Sequence, residues 1–175
     1  MRMVGGGVAL AFIWFLSGSN SAALATEWNM YRDKSTMSDT DNVTLHLKSA
    51  SPIEDQLGLT QIWPVLVISC RENKTALYIN WARFVETGGV DGTTTVRFRI
   101  DQTKAQTASW NISTNFEATG LWSGGRSIPL IRRLINAKQF IVETTPYGSN
   151  TVTAKFNIEG LDGYIPFVQK ECHWN

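Results

Sequence analysis

Trp63-Pro64-Val65-Leu66-Val67-Ile68-Ser69-Cys70-Arg71-Glu72-Asn73-Lys74-Thr75-Ala76-Leu77-Tyr78-Ile79-Asn80-Trp81 reads as two β-strands joined by a short polar turn. Residues 65–70 are β-branched and aliphatic, and Arg71 to Lys74 carry the charge and the Asn that a turn tolerates. Beyond the turn the pattern alternates: Leu77, Ile79 and Trp81 share one face, Ala76, Tyr78 and Asn80 the other. Trp81, on the same face as Leu77 and Ile79, reads as core. The stretch also holds Cys70, one of only two cysteines; the other, Cys172, lies three residues from the end.

Working outward, the flanking segments repeat the strand pattern. In Asn42–Lys48, Val43, Leu45 and Leu47 point in, and Thr44, His46 and Lys48 point out; His46 reads as an exposed strand residue. Residues 26–41 read as an irregular lead-in, and 49–62 as a polar loop in which Glu54 and Asp55 are solvated. In Thr93–Asp101, Val96, Phe98 and Ile100 oppose Thr95, Arg97, Arg99 and Asp101. Thr107–Ile112 is a short strand around Trp110, and 116–122 is ambiguous between strand and loop. Ser127–Ala137 reads as a helix, with Ser127 as its cap and Pro129 in its first turn. Two strands follow, Gln139–Thr145 and Asn150–Ile158, joined by Pro146-Tyr147-Gly148-Ser149. A last helix runs from Leu161 to Cys172, with Leu161, Ile165, Val168 and Cys172 on one stripe. The expected fold is α+β and mainly β: an antiparallel sheet or sandwich of about 7–8 strands with two short late helices.

At 175 residues with 43% hydrophobic content, the expectation is one domain with a full core. Sixteen Lys+Arg against fifteen Asp+Glu, with no block of like charge, argue against a partner held by phosphate neutralisation; no nucleic acid is expected. Residues 1–25 read as a signal peptide: Arg2, an apolar run from Val4 to Leu16, small polar residues, then Ala23-Leu24-Ala25. The alternative is an uncleaved anchor, but the apolar run is short for a span of roughly 20 residues. The expected mature domain is 26–175, formally neutral, periplasmic or secreted, with no stable membrane span after cleavage. In an oxidising compartment an isolated cysteine pair is usually a disulfide. Cys70–Cys172 would close a loop of roughly 100 residues; the alternatives are two free thiols, or a metal site shared with His173.

For chemistry, the chain has two histidines, neither in a recognisable setting. It contains no G-x-S-x-G, H-E-x-x-H, C-x-x-C or phosphate loop. The expectation is therefore no catalytic residues, no metal and no cofactor. The candidate binding residues are Arg97, Arg99 and Asp101 on one polar strand face, with Trp110 and Trp122 close in sequence, since exposed Arg and Trp anchor glycan and protein contacts. The plainer alternative is that the tryptophans fill the core while Arg97 and Asp101 make cross-strand pairs. Three N-x-S/T sequons, at Asn42, Asn73 and Asn111, carry weight only in a eukaryotic source.

Several of these residues fall in a recognisable order. Cys70-Arg71-x-Asn73-x-Thr75 leads to Tyr78-Ile79-x-Trp81; Val96-Arg97-Phe98-Arg99-Ile100-Asp101 follows, with Trp110 downstream. Ala154-Lys155-Phe156-Asn157-Ile158-Glu159-Gly160-Leu161 then leads to Cys172-His173-Trp174. Over about residues 63–174 the chain resembles the VasI/TagO-like accessory proteins associated with bacterial type VI secretion. The resemblance implies an exported, non-enzymatic envelope protein of a Gram-negative bacterium, with no catalytic site to carry over. Cys70, Trp81, Arg99, Asp101, Trp110 and Cys172 match its pattern. The expected partner is an envelope protein or peptidoglycan. The rival readings are a periplasmic inhibitor or glycan-binding module, and an unrecognised hydrolase.

Overall fold

The computed structural model describes residues 27–85 and 91–175; the expected signal peptide lies outside them. In chain order the elements are β1 Asn29–Lys34, β2 Asp41–Lys48, β3 Ile53–Glu54, β4 Gln61–Ile62, β5 Val65–Arg71, β6 Lys74–Asn80, β7 Thr93–Ile100, β8 Gln106–Ile112, β9 Ala118–Leu121, α1 Gly124–Leu134, β10 Gln139–Thr144, β11 Val152–Asn157 and α2 Leu161–Glu171. The opening stretch folds as the hairpin β5–β6, with Val65 opposite Asn80 and Arg71 opposite Lys74. Its two-residue turn has positive φ at both Glu72 (47°) and Asn73 (58°), the handedness that matches strand twist. Glu72 is an unfavourable residue there, and two contacts hold it. Its N–H donates to Asn42 Oδ1 at 3.0 Å, and its carboxylate accepts the Ser35 hydroxyl at 3.0 Å.

Nine strands form one antiparallel sheet in the order β1-β2-β5-β6-β9-β8-β7-β10-β11, and β3–β4 make a separate two-stranded ribbon. The alternation read from the sequence places Leu45, Ile68, Leu77, Val96, Phe140 and Phe156 in one contiguous core. On it lie α1, through Leu130, Ile131 and Leu134 against β6 and β9, and α2, through Leu161, Ile165 and Val168 against β2 and β5. Trp81 is fully buried and its Nε1–H donates to Thr119 Oγ1 at 3.0 Å, the core role expected of it. The sheet curls until its far ends meet: Ala50, just after β2, donates its N–H to the Lys155 carbonyl on the outer edge of β11 at 2.7 Å.

Three local expectations change. The lead-in contains β1, which pairs with β2 from Asn29↔His46 to Lys34↔Asp41; its Asn-Met-Tyr-Arg-Asp-Lys lacks the apolar alternation that marks a strand. As a result His46 is half-buried, with the Tyr31 ring centroid 4.8 Å away. Helix α1 begins at Gly124, so Ser127 lies one turn inside it, buried, donating to the Thr75 and Ser123 carbonyls at 2.9 and 3.0 Å. Pro129 falls in the helix interior, where it leaves the Gly125 carbonyl without its helical donor; Gly125 is exposed. The ambiguous segment 116–122 contains β9, where Gly120 faces Tyr78. A Cβ on Gly120 would collide with Tyr78 Cβ and lie 3.0 Å from the Leu77 carbonyl oxygen.

Cys70 and Cys172 are disulfide-bonded, Cα–Cα 5.6 Å, across a separation of 102 residues, and no described cysteine is free. The bond joins the inner face of β5 to the C-terminal end of α2. Converting both to Ala is expected to lower stability by about 2–5 kcal/mol, read from denaturant unfolding, with the slope rising because the released denatured chain is more expanded. A second expectation concerns His46, whose imidazole burial pushes below its ordinary value of 6.5. The folded form then holds the proton less well than the unfolded chain. Stability is full above the ordinary value and is lost as pH falls through it towards the lowered folded value. Between about pH 7.5 and about pH 5.5 the thermal midpoint of the unaltered protein should fall further than that of His46→Gln.

Candidate functional site

The ladder between β7 and β10 is short. It runs from Ile100↔Phe140 to Arg97↔Glu143 and stops, although β7 continues back to Thr93 alongside β8 and β10 continues to Thr144 alongside β11. Beyond the last pair the two strands part. In an antiparallel ladder alternate residues turn their main-chain groups to opposite neighbours. Asp101 donates its N–H to the Gln139 carbonyl at 2.9 Å, so Arg99, Arg97 and Thr95 also face β10. Thr95 therefore presents its N–H and C=O where β10 has left, and neither meets a main-chain partner among the described residues.

The gap is a cleft of about 510 Å³, lined by Thr93, Thr95, Ser109, Thr145 and Thr151, with Arg97 and Glu143 at its closed end. Thr144 also lines it; this residue is 2% exposed, and its Oγ1 is buried with no hydrogen-bond partner. Arg97 Nη1 lies 3.3 Å from Glu143 Oε2, the cross-strand pair anticipated for it. On the far side of this ion pair a second hollow of about 430 Å³ is lined by Arg99, Ile141, Thr153 and Lys155. The two hollows thus share an outer face with three cations and one carboxylate. That balance, beside a row of hydroxyls, suits a hydroxylated ligand carrying negative charge.

The other candidates lie elsewhere. Asp101 has φ 48° and accepts the N–H groups of Lys138 and Gln139 at 2.9 and 2.8 Å, pinning the start of β10 to the end of β7. Trp110 is 1% exposed and packs on Phe98 at 5.9 Å; it is core and cannot meet a ligand at the surface. Trp122 is half-buried against Tyr78, ring centroids 4.6 Å apart, over β6 and β9 and outside both hollows. Burial is the main influence on Tyr78, raising its pKa, and the Arg71 charge pulls it the other way. The structure brings Arg97 and Arg99 together and adds Glu143, Thr144, Thr153 and Lys155. The alternating tail Thr151–Asn157 displayed some of these in sequence, but nothing local placed them beside β7.

The sequence profile of the family described as "Type VI secretion system VasI, EvfG, VC_A0118" matches residues 16–174. The chain belongs to the VasI family. That assignment puts it in type VI secretion and agrees with the resemblance carried by the Cys70 and Cys172 segments. No curated protein and no solved structure matches this VasI-family chain. Among its described residues no helix is long and apolar enough to cross a membrane, and no cluster of His, Cys, Asp and Glu has the makings of a metal site.

Thr144→Val tests the unpartnered hydroxyl. The swap keeps the shape, removes a buried polar group that lacks a partner, and suits a strand. The free protein is expected to gain about 1 kcal/mol in denaturant unfolding, a sign opposite to that of most buried substitutions.

Proposed function

We propose that this VasI-family protein is an exported, non-enzymatic accessory component of type VI secretion that binds peptidoglycan through the β7–β10 cleft. The observation that carries this reading is the cleft itself. Its chemistry is hydroxyl, guanidinium, carboxylate and free main-chain amide, with a buried hydroxyl left unmatched. Peptidoglycan offers sugar hydroxyls, amides and carboxylates, the complements of those groups. The buried Cys70–Cys172 bond supports an oxidising location outside the cytoplasm. Binding rather than catalysis is supported by where the cysteines and histidines lie, and by the pairing of Glu143, the one carboxylate lining the cleft among the described residues, with Arg97. Both cysteines are bonded to each other, His46 sits under Tyr31, and His173 follows α2; none lines either hollow.

The test is co-sedimentation of the purified mature domain with isolated sacculi. The unaltered protein is expected to pellet with them, and Arg97→Ala to bind at least about tenfold more weakly, the worth of one or two lost polar contacts. Failure of the unaltered protein to pellet would overturn the partner. Release of soluble fragments from the sacculi would overturn the non-enzymatic role.

A further inference from the structure

A different surface lies at the end of the sheet where β2, β6 and β8 finish. Five large apolar side chains stand in solvent there: Leu57 and Leu59 (each 77% exposed), Tyr147 (61%), Phe116 (41%) and Phe84 (37%). The three aromatic residues form a connected group, and the loop that carries the two leucines is joined to it through Gln56. The Phe84 ring centroid is 5.4 Å from that of Phe116 and 6.0 Å from that of Tyr147, and the Phe84 N–H donates to Gln56 Oε1 at 3.3 Å.

The leucines are held outward by their own loop. The Asp55 carboxylate accepts the N–H groups of Leu57 and Leu59 at 3.2 and 2.8 Å and the Thr60 hydroxyl at 2.6 Å. The Asp55 N–H donates to the Thr60 carbonyl at 2.8 Å, and Gly58 supplies the positive φ of 69° the turn needs. Behind the loop, buried Arg83 donates to the Glu54 carbonyl at 2.8 Å and to Ser149 Oγ at 3.2 Å, fixing it to the β10–β11 turn. Apolar side chains on so constrained a loop are pre-organised for contact, so ordering them on binding costs little.

The surrounding charge selects the partner. At this end carboxylates ring the apolar group along the chain: Glu54 and Asp55 precede Leu57 and Leu59 and Glu117 follows Phe116, while Arg83, the cation bound to the loop, is buried. An anionic lipid surface is repelled by that ring, and so is a second copy of the same end. We infer that this end is a docking surface for another protein, through a segment whose apolar side chains are flanked by Lys and Arg. The surface is separate from the cleft and does not rest on what the cleft binds.

The experiment uses the full chain in the cells that make it, with a photo-crosslinking amino acid at Leu57, at Leu59, or at Lys104 in the β7–β8 turn at the opposite end. Crosslinked peptides are identified by mass spectrometry. The expected result is a shared partner segment from positions 57 and 59, apolar with flanking Lys or Arg, and not from 104. Its yield should fall severalfold in high salt and in the charge reversal Glu54→Lys/Glu117→Lys. Sacculus binding by Leu57→Asp/Leu59→Asp should be unchanged, which separates this surface from the cleft. Crosslinks to lipid, to a second copy, to this chain's own residues 1–26 or to an acidic segment would overturn the inference. So would no crosslink at all.

Discussion

A wide apolar face covered by very little helix is the constraint from which the rest of this structure follows. Nine strands at about 4.8 Å spacing make a sheet roughly 40 Å across, whereas α1 and α2 have 11 residues each and are about 16 Å long. Two such helices cannot shield one face of a sheet that wide. The sheet covers the remainder by curling, until the Ala50 N–H reaches the edge of β11. Helix α2 is held against β2 and β5 by the disulfide as well as by packing, so the thinnest part of the cover is also covalently fixed.

Curling a sheet this far opens its ladders, and each opening is dealt with differently. Between β8 and β9 only two residue pairs survive, Asn111↔Gly120 and Ile112↔Thr119. There α1 enters the gap: Arg126 donates to Asn111 Oδ1 at 2.7 Å and to the Ser109 carbonyl, and Arg133 donates to Gln106 Oε1 at 3.1 Å. The Ser109 carbonyl on the stranded edge of β8 is thus satisfied by a side chain of α1. Between β7 and β10 no element enters, and Thr95 and Thr144 keep unmatched polar groups. Buried polar groups are normally paired, so the unmatched Thr144 hydroxyl sets the second opening apart from the first, and the proposed binding role rests on that difference.

The elements could be read from the sequence because their signals are local. Alternation identifies β2, β6, β7 and β11; β5 is marked by its β-branched and aliphatic run, β8 by Trp110 and β10 by the turn that joins it to β11, and the spacing of Leu161, Ile165, Val168 and Cys172 locates α2 with its cysteine facing the core. Strand β1 was illegible because it is an edge strand; its residues are mostly exposed, so no apolar rhythm is imposed on them. The site was half legible for a related reason. The outward positions of Arg97 and Arg99 follow from the pleat alone, but Glu143 reaches Arg97 across 46 residues, and no local pattern encodes which strand becomes whose neighbour. Trp110 misled because a tryptophan carries the same letter whether it anchors a ligand or fills a core. Its burial follows from sharing a face with Ala108 across from Val96, a matter of pairing rather than of composition.

The two surfaces meet on one hairpin. The β10–β11 turn carries Thr145 and Thr151, which line the cleft and lie 2.9 Å apart through their hydroxyls, and also Tyr147, which belongs to the apolar end. Its anchor is Arg83, whose guanidinium spans from Ser149 in this turn to Glu54 in the β3–β4 ribbon while its Nε stays buried and unpaired. A buried guanidinium with its Nε unpaired is expensive to keep, and here it ties together segments that no ladder connects. The disulfide and both helices act on the strands from β2 to β8 and leave the β10–β11 hairpin uncovered by helix, so on this side Arg83 and the Ala50 contact supply the fastening instead. Any displacement of the hairpin alters the cleft mouth and the apolar end together, because one turn carries part of the wall of each.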